Sequence, residues 1–385
     1  MCDVIIKNLK KYEINEEPIR SLKRCTKCVL PETMPYIEFD KDGVCNYCNT
    51  YKKHNYEDFS KLKDWANIKK QSGKTPDSLV SFSGGRDSSF GLHYFVKELG
   101  LKPIAYTYDW GMVTDLAKRN QKKMCDSLGV KLITITADIT KKRKNIKNNI
   151  TAWIKKPDIG MIPLFMAGDK QFFYFANKTK KQFKLNDILM ASNPLEQTHF
   201  KSGFCRVKPA VLKTGENSSD IEKLPVSGYL KMSGYYFGQY LKNPSYINSS
   251  LADTFNAAIC NFIIPHKYLR LYDYIKWDET LINNVLSNEY NWEKAADTES
   301  TWRIGDGTAP FYNYLYYIIA GFTENDTLRS NQIREGMIDR EKALELTYRD
   351  NQPRFESLKW YFDIINMDME MVLDRVNKIP KLYNK

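Results

Sequence analysis

Apolar positions along this chain follow two periods. Short runs in which nearly every residue is apolar or aromatic predict buried strands: Leu79 to Phe82, Lys102 to Trp110, Lys131 to Ala137 and Asp187 to Ser192. Between them, apolar residues recur at helical spacing. Phe59, Leu62, Trp65 and Ile68 predict a helix that ends at Gly73, Pro76 and Asp77. Phe90, Leu92, Tyr94, Phe95 and Leu99 predict another, and Thr114 to Leu128 and Met166 to Phe183 two more. Strands alternating with helices predict an α/β fold with a doubly wound parallel sheet, whose ligands bind beyond the carboxyl ends of the strands. That rule gathers Ser83 to Ser89, the segment Tyr108-Asp109-Trp110-Gly111 and the segment Asn193-Pro194-Leu195-Glu196 into one cleft.

Beyond Pro209 the pattern turns helical, with Ser227 to Tyr240, Ser250 to Cys260, Glu279 to Leu286, Phe311 to Ala320 and Arg340 to Tyr348 as helices and a short strand near Phe262 to Leu269. The expected organisation is an N-terminal segment over 1–55, an α/β domain over 56–212 and a mainly helical region over 213–385, in keeping with about two or three domains for 385 residues.

Composition changes this picture little. With 42% apolar and 13% aromatic residues the chain builds sizeable cores. Its net charge of +12 comes from lysines spread along the sequence, and the densest runs, Lys141 to Lys144 and Lys178 to Lys184, lie inside helical patterns, so no nucleic-acid partner is expected. Met1 to Lys11 lacks the apolar core of a signal peptide, and no window is apolar enough to span a membrane; a cytoplasmic location is expected.

Eight cysteines in a reducing compartment call for a reading other than disulfides. Cys25-x2-Cys28 and Cys45-x2-Cys48, with sixteen residues between the pairs, have the spacing of two knuckles that close a tetrahedral shell of four thiolates. Four sulfurs leave no open coordination position, so a structural Zn2+ is expected in preference to an iron–sulfur cluster.

The stretch Ser83-Gly84-Gly85-Arg86-Asp87-Ser88-Ser89 joins a strand to a helix. Two adjacent glycines let backbone N–H groups converge on an anion, and the helix adds its N-terminal dipole. No lysine follows the glycines, which separates the loop from the nucleoside-triphosphatase P-loop. It resembles the PP-loop of the ATP pyrophosphatases, which cleave ATP between the α and β phosphates. The hydroxyls of Ser83 and Ser88 are expected to assist the loop in holding pyrophosphate, with Ser89, Tyr108 and Asp109 as further ATP-binding residues. Asp87 suits an anion site only if it reaches a cation, so Asp87 and Glu196 are expected to hold Mg2+.

A wider set of motifs is similar to the N-acetyl sugar amidotransferases. These are the cysteine ribbon, the glycine loop, Gly168-Asp169-Lys170, Asn193 to Phe204, Trp302 to Thr308 and Arg329 to Gly336, so the resemblance runs from about Cys25 to about Arg354. It implies an AMP-forming synthetase subunit of bacterial surface-glycan biosynthesis (O-antigen sugars, pseudaminic and legionaminic acids, flagellin glycosylation). Such a subunit converts a sugar N-acetyl group into an acetamidino group with ammonia from a separate class I-type glutaminase. A free or nucleotide-linked N-acetylated sugar is the implied substrate. The chain has four histidines and no glycine-flanked cysteine elbow, so it is not expected to hydrolyse glutamine itself.

Adenylation makes an amide oxygen a leaving group, and ammonia can then attack the carbon if bulk water is excluded. Lys201 is expected to neutralise charge at the phosphorus. Trp302 and Arg303, beside two glycines, suit sugar stacking and an anion clamp, with Asn193, Asp306 and Arg334 as further substrate-binding candidates, and Arg329 and Ser330 as weaker ones. The alternative reading is a PP-loop tRNA thiolation enzyme, with Cys125 and Cys205 as spare thiols; against it, no cysteine follows Cys260.

Overall fold

The computed structural model describes residues 10–209, 225–264 and 267–384. The boundary expected at 212/213 and most of the N-terminal stretch read for a signal peptide lie outside the described residues. A five-stranded, wholly parallel sheet forms the centre, built from β1 (Leu79–Ser81), β2 (Ile104–Asp109), β3 (Leu132–Thr136), β4 (Ile188–Met190) and β5 (Leu269–Arg270) in the order β3-β2-β1-β4-β5. Each of the four short apolar runs read as a strand contains one. The expected strand near Phe262 to Leu269 is shorter and later, because the Leu251–Phe262 helix occupies most of that stretch.

Side chains alternate across the sheet, as a pleated strand requires. Leu79, Tyr106 and Ile188 point into one hydrophobic cluster, and Val80, Ala105 and Leu189 into the other. The first cluster also holds Cys28 and Tyr47 from the N-terminal segment and Phe311 and Tyr361 from the C-terminal helices; the second holds Trp277 and Trp302. The three expected segments are therefore packed on one another through shared cores.

Two stretches differ from the periodicity. Met166 to Phe183 is not one helix: tight 3-10-type turns run over Ile159–Lys170 before the Gln171–Gln182 helix. Pro163 lacks the N–H an α-helix needs, and Gly168 is pressed against the Trp110 ring, where a Cβ would lie 2.8 Å from it. A further helix, Glu324–Arg334, shows no apolar stripe because it is a polar helix buried along almost its whole length, with Leu328 fully enclosed. Its start was nevertheless written locally, since Thr323 and Asp326 form a capping box. Among the described residues no helix is long and apolar enough to cross a membrane.

Candidate functional site

The glycine loop leaves the carboxyl end of β1 and turns at Gly84, whose φ of +78° suits glycine; a Cβ there would lie 2.5 Å from the Ala117 carbonyl oxygen. Gly85 then caps the Arg86–His93 helix, whose first N–H groups have no intrahelical partner. The helix therefore begins at Arg86, directly after the two glycines. The Ser83 and Ser88 hydroxyls lie 2.9 Å apart, and the Gly85 N–H donates to Ser83 Oγ at 3.3 Å. This nest opens into a cleft of about 370 Å3 that Ser83, Gly85, Asp87, Ser88, Tyr108 and Glu196 share with Asn193, Trp302, Arg303 and Asp306.

The far wall is the Trp302 to Thr308 loop, which is stitched to the segment after β2. Gly307 N–H donates to the Met112 carbonyl at 2.9 Å, Thr114 N–H donates to the Gly305 carbonyl at 3.2 Å, and Val113 pairs with Asp306 as an isolated antiparallel bridge. A Cβ on Gly305 would sit 3.8 Å from the Gly85 nitrogen, so the two loops approach almost backbone to backbone. Asp306 Oδ1 accepts from the Thr308 N–H and hydroxyl, and the Arg303 guanidinium lies over the Trp302 ring at 5.0 Å.

Glu196 joins the walls. Its Oε1 accepts from Trp302 Nε1 at 2.5 Å, and its Oε2 faces Arg303 Nη2 at 3.4 Å. Burial pushes its carboxyl up to about 7; Arg303 opposes the rise, and the charge of Asp87 adds to it. Asp87 is held by Arg86, Nε to Oδ1 at 3.1 Å and Nη2 to Oδ2 at 3.3 Å, and by Trp277 Nε1 at 2.8 Å. Arg86, fully buried, also donates to Glu279 Oε1 at 2.9 Å. Glu279 in turn accepts from Arg329 at 2.6 Å, and Arg329 donates to Asp350 at 3.0 Å. Burial alone would raise the Glu279 carboxyl, but Arg329 and Arg86 hold it down to about 2. An alternating ionic chain thus runs from the glycine loop into the C-terminal helices. The sequence marked Arg86 only as a position in the glycine loop and did not mark Glu279 for this role, because the pairing of two distant charges leaves no motif.

Several expected site residues lie elsewhere. Ser89 is buried, and its hydroxyl accepts from Trp292 Nε1 at 3.2 Å. Asp109 is turned away, bonded to the Gly111 N–H at 2.9 Å and paired with Lys118 at 2.8 Å. Lys201 is ion-paired with buried Glu324 and lies over the Tyr312 ring; burial pushes its ammonium pKa down. Arg334 is not in the cleft wall: its Nε donates to Cys48 Sγ at 3.3 Å and its Nη2 to Cys28 Sγ at 3.4 Å. Ser330 accepts from the Val29 N–H at 3.3 Å, and Arg329 belongs to the ionic chain.

Cys25, Cys28, Cys45 and Cys48 are all buried, with their sulfurs within 4.8 Å of one another, a cluster compatible with structural zinc. Hydrogen bonds from the other thiols, Cys28 first, pull the Cys25 thiol far below its ordinary range. Arg334 also donates to Asn331 Oδ1 at 2.7 Å, and Asn331 Nδ2 donates to the Leu195 carbonyl at 2.8 Å. The cysteine cluster is thereby tied through one helix to the loop that carries Glu196.

Ser81 Oγ, Asp169 Oδ1 and Asn193 Nδ2 are buried with no hydrogen-bond partner among the described residues, although the residues themselves line the cleft. Cys125 and Cys205 are buried outside it, and burial pushes both thiols up to about 12, so neither is a thiolate at neutral pH. Scans against protein-family models and against curated protein sequences match nothing.

Proposed function

We propose that this chain is the synthetase partner of an ATP-dependent, AMP-forming amidotransferase of the PP-loop type, acting on the N-acetyl group of a sugar. The observation that carries the reading is the shared cleft: a Ser83 to Gly85 nest at a helix N-terminus faces Trp302 and Arg303 across Glu196 and Asp87. The nest suits the phosphates of ATP, since convergent N–H groups and the helix end favour negative charge. Trp302 and Arg303 offer a ring and a guanidinium to a polar ring substrate.

Asp87 and Glu196 would hold Mg2+, which supplies charge neutralisation at the phosphates when bound. Each carboxylate is oriented by protein N–H donors, and both residues line the cleft. The orphan Ser81 hydroxyl and Asn193 amide would anchor the substrates, and closure of the Trp302 to Thr308 loop on the glycine loop would exclude water from the activated carbon. Lys201, paired with Glu324, would act on the site through Arg303, which faces the same carboxylate at 3.1 Å. A structural zinc in the cysteine cluster would hold the Glu196 loop through Arg334 and Asn331.

The test is a product analysis with ATP, Mg2+, an ammonium salt and free or nucleotide-linked N-acetylated sugars. AMP together with a sugar in which one oxygen is replaced by NH is the expected result. Absence of AMP with every such sugar would sink the reading, and sulfur incorporated into tRNA would replace it with thiolation.

A further inference from the structure

The Val226–Lys242 and Leu251–Phe262 helices carry apolar side chains that are left exposed among the described residues. Val226, Leu230, Phe237 and Leu241 are each 65% or more exposed. At 3.6 residues per turn they fall within about 60° of one another on the first helix. The opposite side of that helix is the one tied down, through Gln239 Nε2 to Asp158 Oδ2 at 2.6 Å and buried Gly228. Phe255, Ile259 and Ile263 form a second exposed stripe one turn apart. The two helices touch where Tyr240 bonds to Thr254, and Tyr174 of the Gln171–Gln182 helix, whose backbone contacts Cys260, is a further exposed aromatic.

The surface has a sign. The first helix carries Lys231 and Lys242 and no acidic residue, and the adjacent Gln171–Gln182 helix carries Lys178, Lys180 and Lys181 and none either. The one carboxylate of the Leu251–Phe262 helix, Asp253, is buried in an ion pair with Lys142. With Ile247 the exposed aliphatic and aromatic side chains of this region offer on the order of 800 Å2 in all, an amount of apolar surface on the scale that one partner gives to a standard interface.

From this geometry we infer that the face docks on an anionic lipid surface, with the apolar stripes entering the headgroup boundary and the flanking lysines meeting lipid phosphates. A second copy of the chain fits less well: each copy carries +12, and a two-fold contact would set these lysines against themselves. An apolar stripe flanked by lysines on a helix that does not span the bilayer is the pattern of interfacial binding. Phe172 and Phe173 of the Gln171–Gln182 helix line the cleft, so docking would put the cleft one helix away from the lipid.

Flotation of the full chain with vesicles tests this independently of any reaction, since no ATP is needed. Binding is expected to vesicles of phosphatidylcholine with phosphatidylglycerol, to weaken with salt, and to be much lower with phosphatidylcholine alone. The pair Leu230→Asp and Phe237→Asp should reduce partition at least about tenfold, the scale of withdrawing large apolar side chains from an apolar phase. Both positions are exposed, so circular dichroism and melting should stay those of the parent chain. Lys178→Glu with Lys231→Glu should weaken anionic binding in the same folded background. No flotation with anionic vesicles, or equal flotation with neutral ones, overturns the inference. So does a dimer in sedimentation that the two aspartates dissolve while the parent chain ignores vesicles.

Discussion

The Trp302 indole N–H donates to Glu196 Oε1 at 2.5 Å, a bond that ties the loop after β4 to a loop from the C-terminal half, 106 residues later in the chain. It encloses a carboxylate between Arg303 and Asp87, and the enclosure, with the charge of Asp87, lifts the carboxyl to about 7 against the opposing pull of Arg303.

Stability should depend on pH through Glu196. Its folded pKa is raised, so between the ordinary carboxylate value and about 7 the folded state holds a proton that the unfolded state has lost, and stability falls as pH rises through that window. Relative to the parent chain, Glu196→Gln should gain about 2 kcal/mol between pH 4.5 and 8, with no difference at lower pH. Urea melts at several pH values measure it; parallel curves for the two proteins would refute the buried carboxyl.

Zinc should be found at about one ion per chain, and Cys45→Ser with Cys48→Ser should lower both zinc content and soluble yield, because binding energy becomes folding energy. Arg334→Gln should keep the four ligands but weaken zinc retention about tenfold, as loss of a group bonded to ligand sulfurs does. Competition with a chelator reads this directly, and unchanged retention would remove Arg334 from the metal site.

Arg86 should be structural as well as local to the cleft. Arg86→Ala leaves Asp87 and Glu279 facing an empty buried position and should cost about 3–5 kcal/mol. Asp87→Asn keeps the shape and should cost only about 1–2 kcal/mol, while ATP-dependent AMP formation falls at least about a hundredfold if Asp87 holds the magnesium. Parent-like AMP formation in a folded Asp87→Asn protein would withdraw the metal role.

Gly84→Ala should distort the nest, because a Cβ at φ +78° would press on the Ala117 carbonyl 2.5 Å away. ATP affinity should fall more than stability, which should drop by about 1–3 kcal/mol. Calorimetric titration with ATP beside a thermal melt separates the two losses.

Glutamine should not serve as nitrogen donor for the purified chain, whereas ammonium at a pH where free ammonia is appreciable should. Efficient glutamine use by the chain alone would reveal a second active site.

Much of this was legible locally. The four strands, the paired glycines after β1 and the two Cys-x2-Cys pairs each depend on residues a few positions apart, so period, backbone freedom and ligand spacing carry them in the sequence itself. The Thr323 and Asp326 box that starts a buried polar helix was equally local, but without an apolar stripe the helix had no period to announce it. What only the tertiary structure decided are the pairings across long separations: Arg86 with Glu279 over 193 positions, Arg334 with Cys28 over 306, and Lys201 with Glu324. Those three cations look alike in sequence, as charged residues near motifs. Which one faces the cleft, which one bonds a sulfur and which one is neutralised in the core depends on the carboxylate or thiol that folding brings within about 3 Å, because ion pairs and hydrogen bonds are short-ranged and carry no trace along the chain.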